Sequence, residues 1–140
     1  MSLENIDARG PRFSAVLTTL VLSIALATNS ELLLALQAVV FAIGAIKGPQ
    51  ATPYAAIFRK FVKPRLKSEA KFEDVRPPQF AQRVGLGLAL VGLFGAVAAP
   101  VLFQVAVSFA LAAAFLNAAF DFCLGCQIYL LLARLRVKQA

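Results

Sequence analysis

The chain has no histidine and no tryptophan, and its one methionine is Met1. Haem ligation by His or an internal Met is therefore excluded, as are His-based metal sites and any Ser-His-Asp arrangement. Charge is scarce as well. Asp, Glu, Lys and Arg make up 15% of the 140 residues, and hydrophobic residues make up 60%, against about 25% and about 45–50% in an ordinary soluble domain. No Lys or Arg occurs between Phe13 and Ile46, or between Val84 and Ala133. A water-soluble fold of this size has no room to bury so much apolar surface, so the excess is expected to face lipid. The chain reads as a single domain over residues 1–140.

What charge there is clusters. The net charge of +7 and pI near 10.0 raise nucleic acid as a partner. The cations, however, flank apolar runs and form no basic face, so anionic headgroups of the lipid bilayer are the expected partner and nucleic acid is not.

Four apolar stretches follow in order. The first is 13–28, interrupted by Asn29-Ser30, either of which can cap the second at 31–46. Lys47-Gly48-Pro49 stops that helix with a cation, a Gly and a Pro. Pro77-Pro78 opens the third helix, 78–99, in which Gly85, Ala89, Gly92 and Ala96 form a small-residue stripe suited to close helix packing in lipid. The last stretch, 101–135, is too long for one crossing and too short for two, so a break or bend is expected near 117–125, with a short final segment near the membrane surface. Ala25-Leu26-Ala27 resembles a signal-peptidase site. Its removal would leave the second helix without a partner, so the first helix is expected to be retained.

Between the halves, Thr52-Pro53 starts a short helix over 53–63. Tyr54, Ile57, Phe58, Phe61 and Val62 share one face, flanked by Arg59, Lys60 and Lys63. This pattern predicts an amphipathic helix lying in the interface, with Arg59, Lys60, Lys63 and Arg65 meeting lipid phosphates or a partner protein; packing on the bundle as ordinary loop structure is the alternative. Residues 65–76 mix charges and read as a solvated connection. Of the 14 Lys and Arg, those at the N-terminal tail, the central loop and the C-terminal tail all fall on one side of four crossings, with none at the Asn29 turn or near Pro100. The positive-inside rule puts that side, with both termini, in the cytoplasm. The expected architecture is an all-α integral membrane four-helix bundle carrying an interfacial helix in its central cytoplasmic loop.

Both cysteines lie in Asp121-Phe122-Cys123-Leu124-Gly125-Cys126-Gln127. Two thiols at i and i+3 of a helical turn are close enough for a disulfide, a spacing that suits thiol–disulfide exchange or passage of a persulfide. Other readings stay open: two buried, unreactive cysteines, or zinc held by four thiolates across a dimer. One pair supplies too few ligands for a metal site within the chain. Asn117 and Asp121, four residues apart, share a helix face. An ionisable group at membrane depth is a functional candidate, so Asp121 joins Cys123 and Cys126 as a candidate catalytic residue. If the helix breaks here, Asp121 can cap a final helix and place Cys123, the expected attacking thiol, in its first turn. The alternative is a polar clasp of Asn117 and Asp121 with Gln104, Gln82 or a loop Arg.

Four fragments in order, Asp7-Ala8-Arg9-Gly10-Pro11-Arg12-Phe13, Val62-Lys63-Pro64-Arg65-Leu66, Pro77-Pro78-Gln79-Phe80-Ala81-Gln82 and Phe122-Cys123-Leu124-Gly125-Cys126 with Tyr129, resemble an uncharacterised bacterial family of small membrane proteins filed as a domain of unknown function. The chain also looks broadly similar to the four-helix DoxX-type membrane proteins linked to thiol redox work. Asp121 is not part of the resemblance. The resemblance implies a bacterial inner-membrane protein and a thioredoxin-like or rhodanese-like (sulfurtransferase) partner.

The expected function is a membrane-embedded thiol/disulfide or persulfide relay, as a thiol–disulfide oxidoreductase or a sulfur-transfer accessory. A non-catalytic membrane anchor or assembly subunit is the competing class, and a channel lacks the polar groups a path would need. No cofactor is identifiable. A quinone is a conceivable oxidant that no sequence feature marks, and homo-oligomerisation is left open.

Overall fold

The computed structural model describes residues 5–7, 9–65, 72–74, 76–120 and 124–139. Among them are six α-helices: α1 (Arg9–Thr28), α2 (Glu31–Lys47), α3 (Pro53–Ile57), α4 (Arg76–Ala98), α5 (Pro100–Phe120) and α6 (Leu124–Gln139). Two three-residue strands, β1 (Asn5–Asp7) and β2 (Phe72–Asp74), pair antiparallel with Ile6 opposite Glu73. That small sheet departs from the expected all-α fold. Strands this short show no sequence period, and the pairing joins two segments that read separately as polar tail and loop.

The helix ends follow local chemistry. Ser30 caps α2, its Oγ accepting from the Leu33 N–H at 3.2 Å, while Asn29 takes the turn with φ 52°. Gly48, at φ 100°, ends α2 and donates to the Gly44 carbonyl, a backbone conformation that favours glycine. Thr52 caps α3 by accepting from the Ala55 N–H at 3.2 Å. Pro53 and Pro100 each stand first in their helices, where a missing N–H costs nothing.

The core is built from Leu22 of α1, Leu34, Ala38 and Phe41 of α2, Ala89 of α4, and Phe103, Val107 and Ala110 of α5. The small-residue stripe of α4 faces it. Gly92 leaves room for Leu34 and Val107, and Gly85 for the Phe41 ring. Close approach of this kind lets dispersion hold the helices together where no water is expelled.

Outside that core the bundle is apolar. Leu20 and Ile24 on α1, Leu32, Leu36, Val39 and Ile46 on α2, Leu90, Phe94 and Val97 on α4, and Val101, Val105 and Phe109 on α5 are all exposed. They recur at helical spacing along whole helices, and a soluble monomer rarely exposes such continuous apolar faces. Three helices, Arg9–Thr28, Pro77–Ala98 and Pro100–Phe120, are long and apolar enough to cross a membrane.

The helix count therefore differs from the expected four. At 17 residues, α2 is about 25 Å long, short against a hydrocarbon core of ~30 Å. The stretch expected over 101–135 is two helices, because α5 ends at Phe120 and α6 starts at Leu124. The region expected as one interfacial helix over 53–63 is three short pieces: α3, a π-helical turn at Phe58–Val62 and a 3-10 turn at Lys63–Arg65.

Those changes of helix pitch split the expected apolar face. Phe58 turns inward, 3% exposed, and stacks at a tilt on Phe13 with ring centroids 5.8 Å apart. Ile57 and Phe61 stay exposed. Part of this segment is thus bundle packing and only part is free to meet lipid.

Candidate functional site at the α4–α5–α6 junction

One end of the bundle gathers the start of α1, the end of α2, the start of α4, the end of α5 and the start of α6. Helix ends carry carbonyls or N–H groups without intrahelical partners, and here long side chains from neighbouring helices supply partners for several carbonyls. Gln79 Nε2 and Arg83 Nε both donate to the Ala45 carbonyl near the end of α2, at 3.0 and 3.3 Å. Arg12 Nε donates to the Ala118 carbonyl at 3.2 Å and Nη2 to that of Ala119 at 3.5 Å. A guanidinium at the C-terminus of α5 also complements the negative end of the helix dipole.

Past this cap the chain turns into α6, which packs chiefly on α4. The fit is close. A Cβ at Gly125 would stand 2.7 Å from the Ala81 Cα, so only glycine lets the two backbones approach this nearly. Four residues on, Tyr129 lies against Phe80 with ring centroids 5.8 Å apart. Gly125 and Tyr129 thus both meet the first turns of α4, so α6 crosses α4 near its start and does not climb beside it. Its Ile128, Leu131, Leu132 and Leu135 are exposed, as are Arg134 and Arg136.

Cys126 is the third residue of α6. It is half-buried and disulfide-bonded, in a chain with two cysteines. Cys123 and Asp121 lie outside the described residues.

The wall that Cys126 joins belongs to a cavity of about 340 Å³ bounded by α1, α2, α4, α5 and α6. Much of the room exists because side chains are small: Ala15, Ala81, Gly85, Ala110, Ala114 and Gly125 all line it. Among the described residues its polar groups are the hydroxyls of Ser14 and Thr18 and the carboxamides of Gln82, Asn117 and Gln127, and none of the described residues that border it is charged. The Gln82 carbonyl oxygen is buried without a hydrogen-bond partner, a costly state for a polar atom. Asn117 and Gln82 thus share one cavity, whereas Gln104 is exposed and takes no part. Arg12 of α1 engages backbone carbonyls of α5, and the clasp expected around Asp121 lies outside the described residues.

A second polar feature runs from the cavity toward the surface. Tyr54 of α3 donates from its hydroxyl to Gln37 Oε1 at 2.7 Å, and Gln37 Nε2 donates to Thr18 Oγ1 at 3.4 Å. Gln37 is 1% exposed, so both ends of its amide are engaged inside an otherwise apolar hairpin. Burial pushes the Tyr54 phenol above its ordinary value.

The basic residues stand apart from the cavity wall. Arg59 is exposed and donates to the Gln50 carbonyl at 2.6 Å; Lys60 is exposed, its Nζ 5.5 Å from the centre of the Phe61 ring; Arg65 is exposed in the 3-10 turn. Lys63 begins that turn, and its side chain lies outside the described residues.

Sequence reasoning missed Arg12 as the cap of α5, the Gln37–Tyr54 link, and the cavity itself. A buried Gln in an apolar run is a visible signal for the second, since amides at membrane depth need partners. Nothing local marks the other two.

No curated protein and no solved structure matches the chain. A family model does match, over residues 6–134, almost the whole length. The chain belongs to the family described as Domain of unknown function (DUF4395).

Proposed function

We propose that the protein is a membrane-embedded thiol–disulfide relay serving a cytosolic thioredoxin-like or sulfurtransferase partner. The observation that carries this reading is the position of Cys126: disulfide-bonded, in the first turn of α6, on the wall of a cavity where α5 and α6 part. Four crossings by α1, α2, α4 and α5, with α6 resting at the interface, return every basic segment to one side, which the positive-inside rule makes cytoplasmic. In that arrangement the bond sits at the cytoplasmic end, within reach of a soluble partner. A slight local thinning of the bilayer or inclusion of flanking residues accommodates the short α2.

The exchange is a pair of displacements. A partner thiolate attacks one sulfur of the Cys126 disulfide, forming a mixed disulfide and releasing the other sulfur as a thiolate. The partner's second thiol then displaces the remaining protein sulfur, so the partner leaves oxidised and the pair reduced. Cys126 is the sulfur better placed to carry the negative charge, because it lies in the first turn of α6, near the positive end of the helix dipole. That differs from the expectation of Cys123 as the attacking thiol, which assumed that a final helix starts early enough to hold Cys123 in its first turn, whereas α6 starts at Leu124. With a sulfurtransferase partner, one thiolate of the reduced pair takes the outer sulfur of the partner's persulfide and releases the partner's thiolate; the second thiol then attacks the inner sulfur, closing the disulfide and releasing hydrosulfide.

Single Cys123→Ser and Cys126→Ser variants are the test. Each is expected to abolish function in a deletion-complementation assay while the protein stays folded, and one of them to trap a mixed disulfide with the partner. Full function in both variants overturns the relay.

The exposed cations Arg59, Lys60 and Arg65, beside the exposed Ile57 and Phe61, favour a second reading as a membrane anchor that docks a partner at the inner leaflet. That reading predicts function lost on charge removal and kept without the cysteines.

A further inference from the structure

We infer that the turn between α2 and α3 carries a binding site for the headgroup of an anionic phospholipid, with the guanidiniums of Arg59 and Arg83 as its fixed donors. The inference rests on the membrane placement of the apolar helix faces and stands apart from the relay. Arg83, near the start of α4, donates from Nε to the Ala45 carbonyl at 3.3 Å, and Arg59 donates from Nη1 to the Gln50 carbonyl at 2.6 Å. Those two carbonyls flank the point where Gly48, at φ 100°, ends α2. The 3-10 turn Pro49–Ala51 packs against α2, α3 and α4, so two guanidiniums from different elements are tied to one short stretch of backbone.

A guanidinium has more N–H groups than one carbonyl can use. Both arginines are exposed, so their remaining donors are open to an anion. Residues 47–83 hold nine Lys and Arg against three Asp and Glu, so cations stay in excess here however the acids are paired. Exposed apolar side chains stand next to these cations along the chain: Ile46 before Lys47, and Ile57 and Phe61 around Arg59 and Lys60. A soluble anion or an acidic protein segment would meet the charges and leave the apolar groups in water. A phospholipid satisfies both, its phosphate on the guanidiniums and its acyl chains over Ile46 and Phe61.

Anchoring separates this pair from the other exposed arginines. Arg134 and Arg136 are exposed on α6, and no backbone carbonyl holds them among the described residues. A guanidinium already fixed in place loses less side-chain freedom on binding, and its planar fork matches two phosphate oxygens at once. Arg59 and Arg83 should therefore hold a headgroup more tightly than a loose basic surface does.

The experiment uses the full chain in detergent, washed free of co-purified lipid, immobilised, and equilibrated with micelles carrying phosphatidylglycerol or phosphatidylcholine of the same acyl chains. Lipid retained per protein is measured against lipid concentration. Phosphatidylglycerol should bind saturably, and phosphatidylcholine about tenfold more weakly. Arg59→Gln and Arg83→Gln should each raise the phosphatidylglycerol concentration needed by about tenfold, the equivalent of one charge-assisted hydrogen bond. Arg134→Gln combined with Arg136→Gln should leave it close to the wild-type value. Arg59→Gln decides alone if losing the Arg83 contact with α2 prevents folding. Equal binding of the two lipids overturns the site. An effect of the α6 double variant as large as that of Arg59→Gln also overturns it, because general surface charge is then responsible. Displacement of the lipid by inorganic phosphate, or tighter binding of an oligoglutamate peptide than of phosphatidylglycerol, overturns the lipid as occupant. Cys126→Ser should bind lipid as the wild type does, so the site and the relay fail separately.

Discussion

At Gln37 the apolar solvent decides what one polar side chain must do. An amide inside the α1–α2 hairpin has no water to turn to, so its two ends are satisfied by Thr18 and Tyr54, which tethers α3 to the bundle. Tyr54→Phe removes the donor and leaves Gln37 Oε1 buried and unpaired, at a cost of ~1–3 kcal/mol, readable as a lower midpoint of thermal unfolding in detergent. The same phenol gives a pH signature. Its folded-state pKa is raised by burial above the ordinary ~10. The neutral form is therefore favoured in the native state, and its contribution is fully present below about pH 10 and lost as pH rises through the folded value. The alkaline fall in stability should be shallower in Tyr54→Phe than in the wild type. A mutant with the same midpoint and the same alkaline slope would show that the Tyr54–Gln37 bond does not tether α3.

Helix α6 shows how one element can depend on two residues of its neighbours. Gly125 sets its distance from α4, and Arg12 holds the end of the helix before it. Gly125→Leu forces the Ala81 backbone away, so α6 should detach from α4 while α1, α2, α4 and α5 keep their packing. Limited proteolysis near Arg134 and Arg136 measures this, with faster cleavage expected in the variant. Arg12→Ala removes two carbonyl contacts and a favourable dipole interaction, worth ~0.3–1 kcal/mol at an exposed site. The Cys126 disulfide should then be reduced faster by dithiothreitol while the melting temperature changes little. An unchanged reduction rate would separate Arg12 from the junction.

For the molecule as a whole, the exposed apolar faces make detergent or lipid a condition of the folded state. Extraction from membranes should require detergent, and dilution below its critical concentration should precipitate the protein. Reporter fusions should place residue 140 and residue 65 on the cytoplasmic side and a tag at the Asn29 turn on the other, in keeping with four crossings. A tag at Asn29 on the same side as residue 65 would remove α2 from the membrane-crossing set.

Apolar runs, the capping residues Ser30, Gly48 and Thr52, and the absence of charge over long stretches were all legible in the sequence. Each is a local property: hydrophobic periodicity and cap chemistry depend on neighbours a few residues away. The break before Leu124 was also approachable, because a 35-residue apolar stretch fits neither one crossing nor two. What tertiary structure alone decided was contact between distant segments. It paired Ile6 with Glu73, turned Phe58 inward through a π-helical turn, set Arg12 on the end of α5, and opened a cavity between Gln82 and Cys126. Such contacts depend on how five helices with little but small and apolar side chains settle against each other, and no local pattern encodes that arrangement.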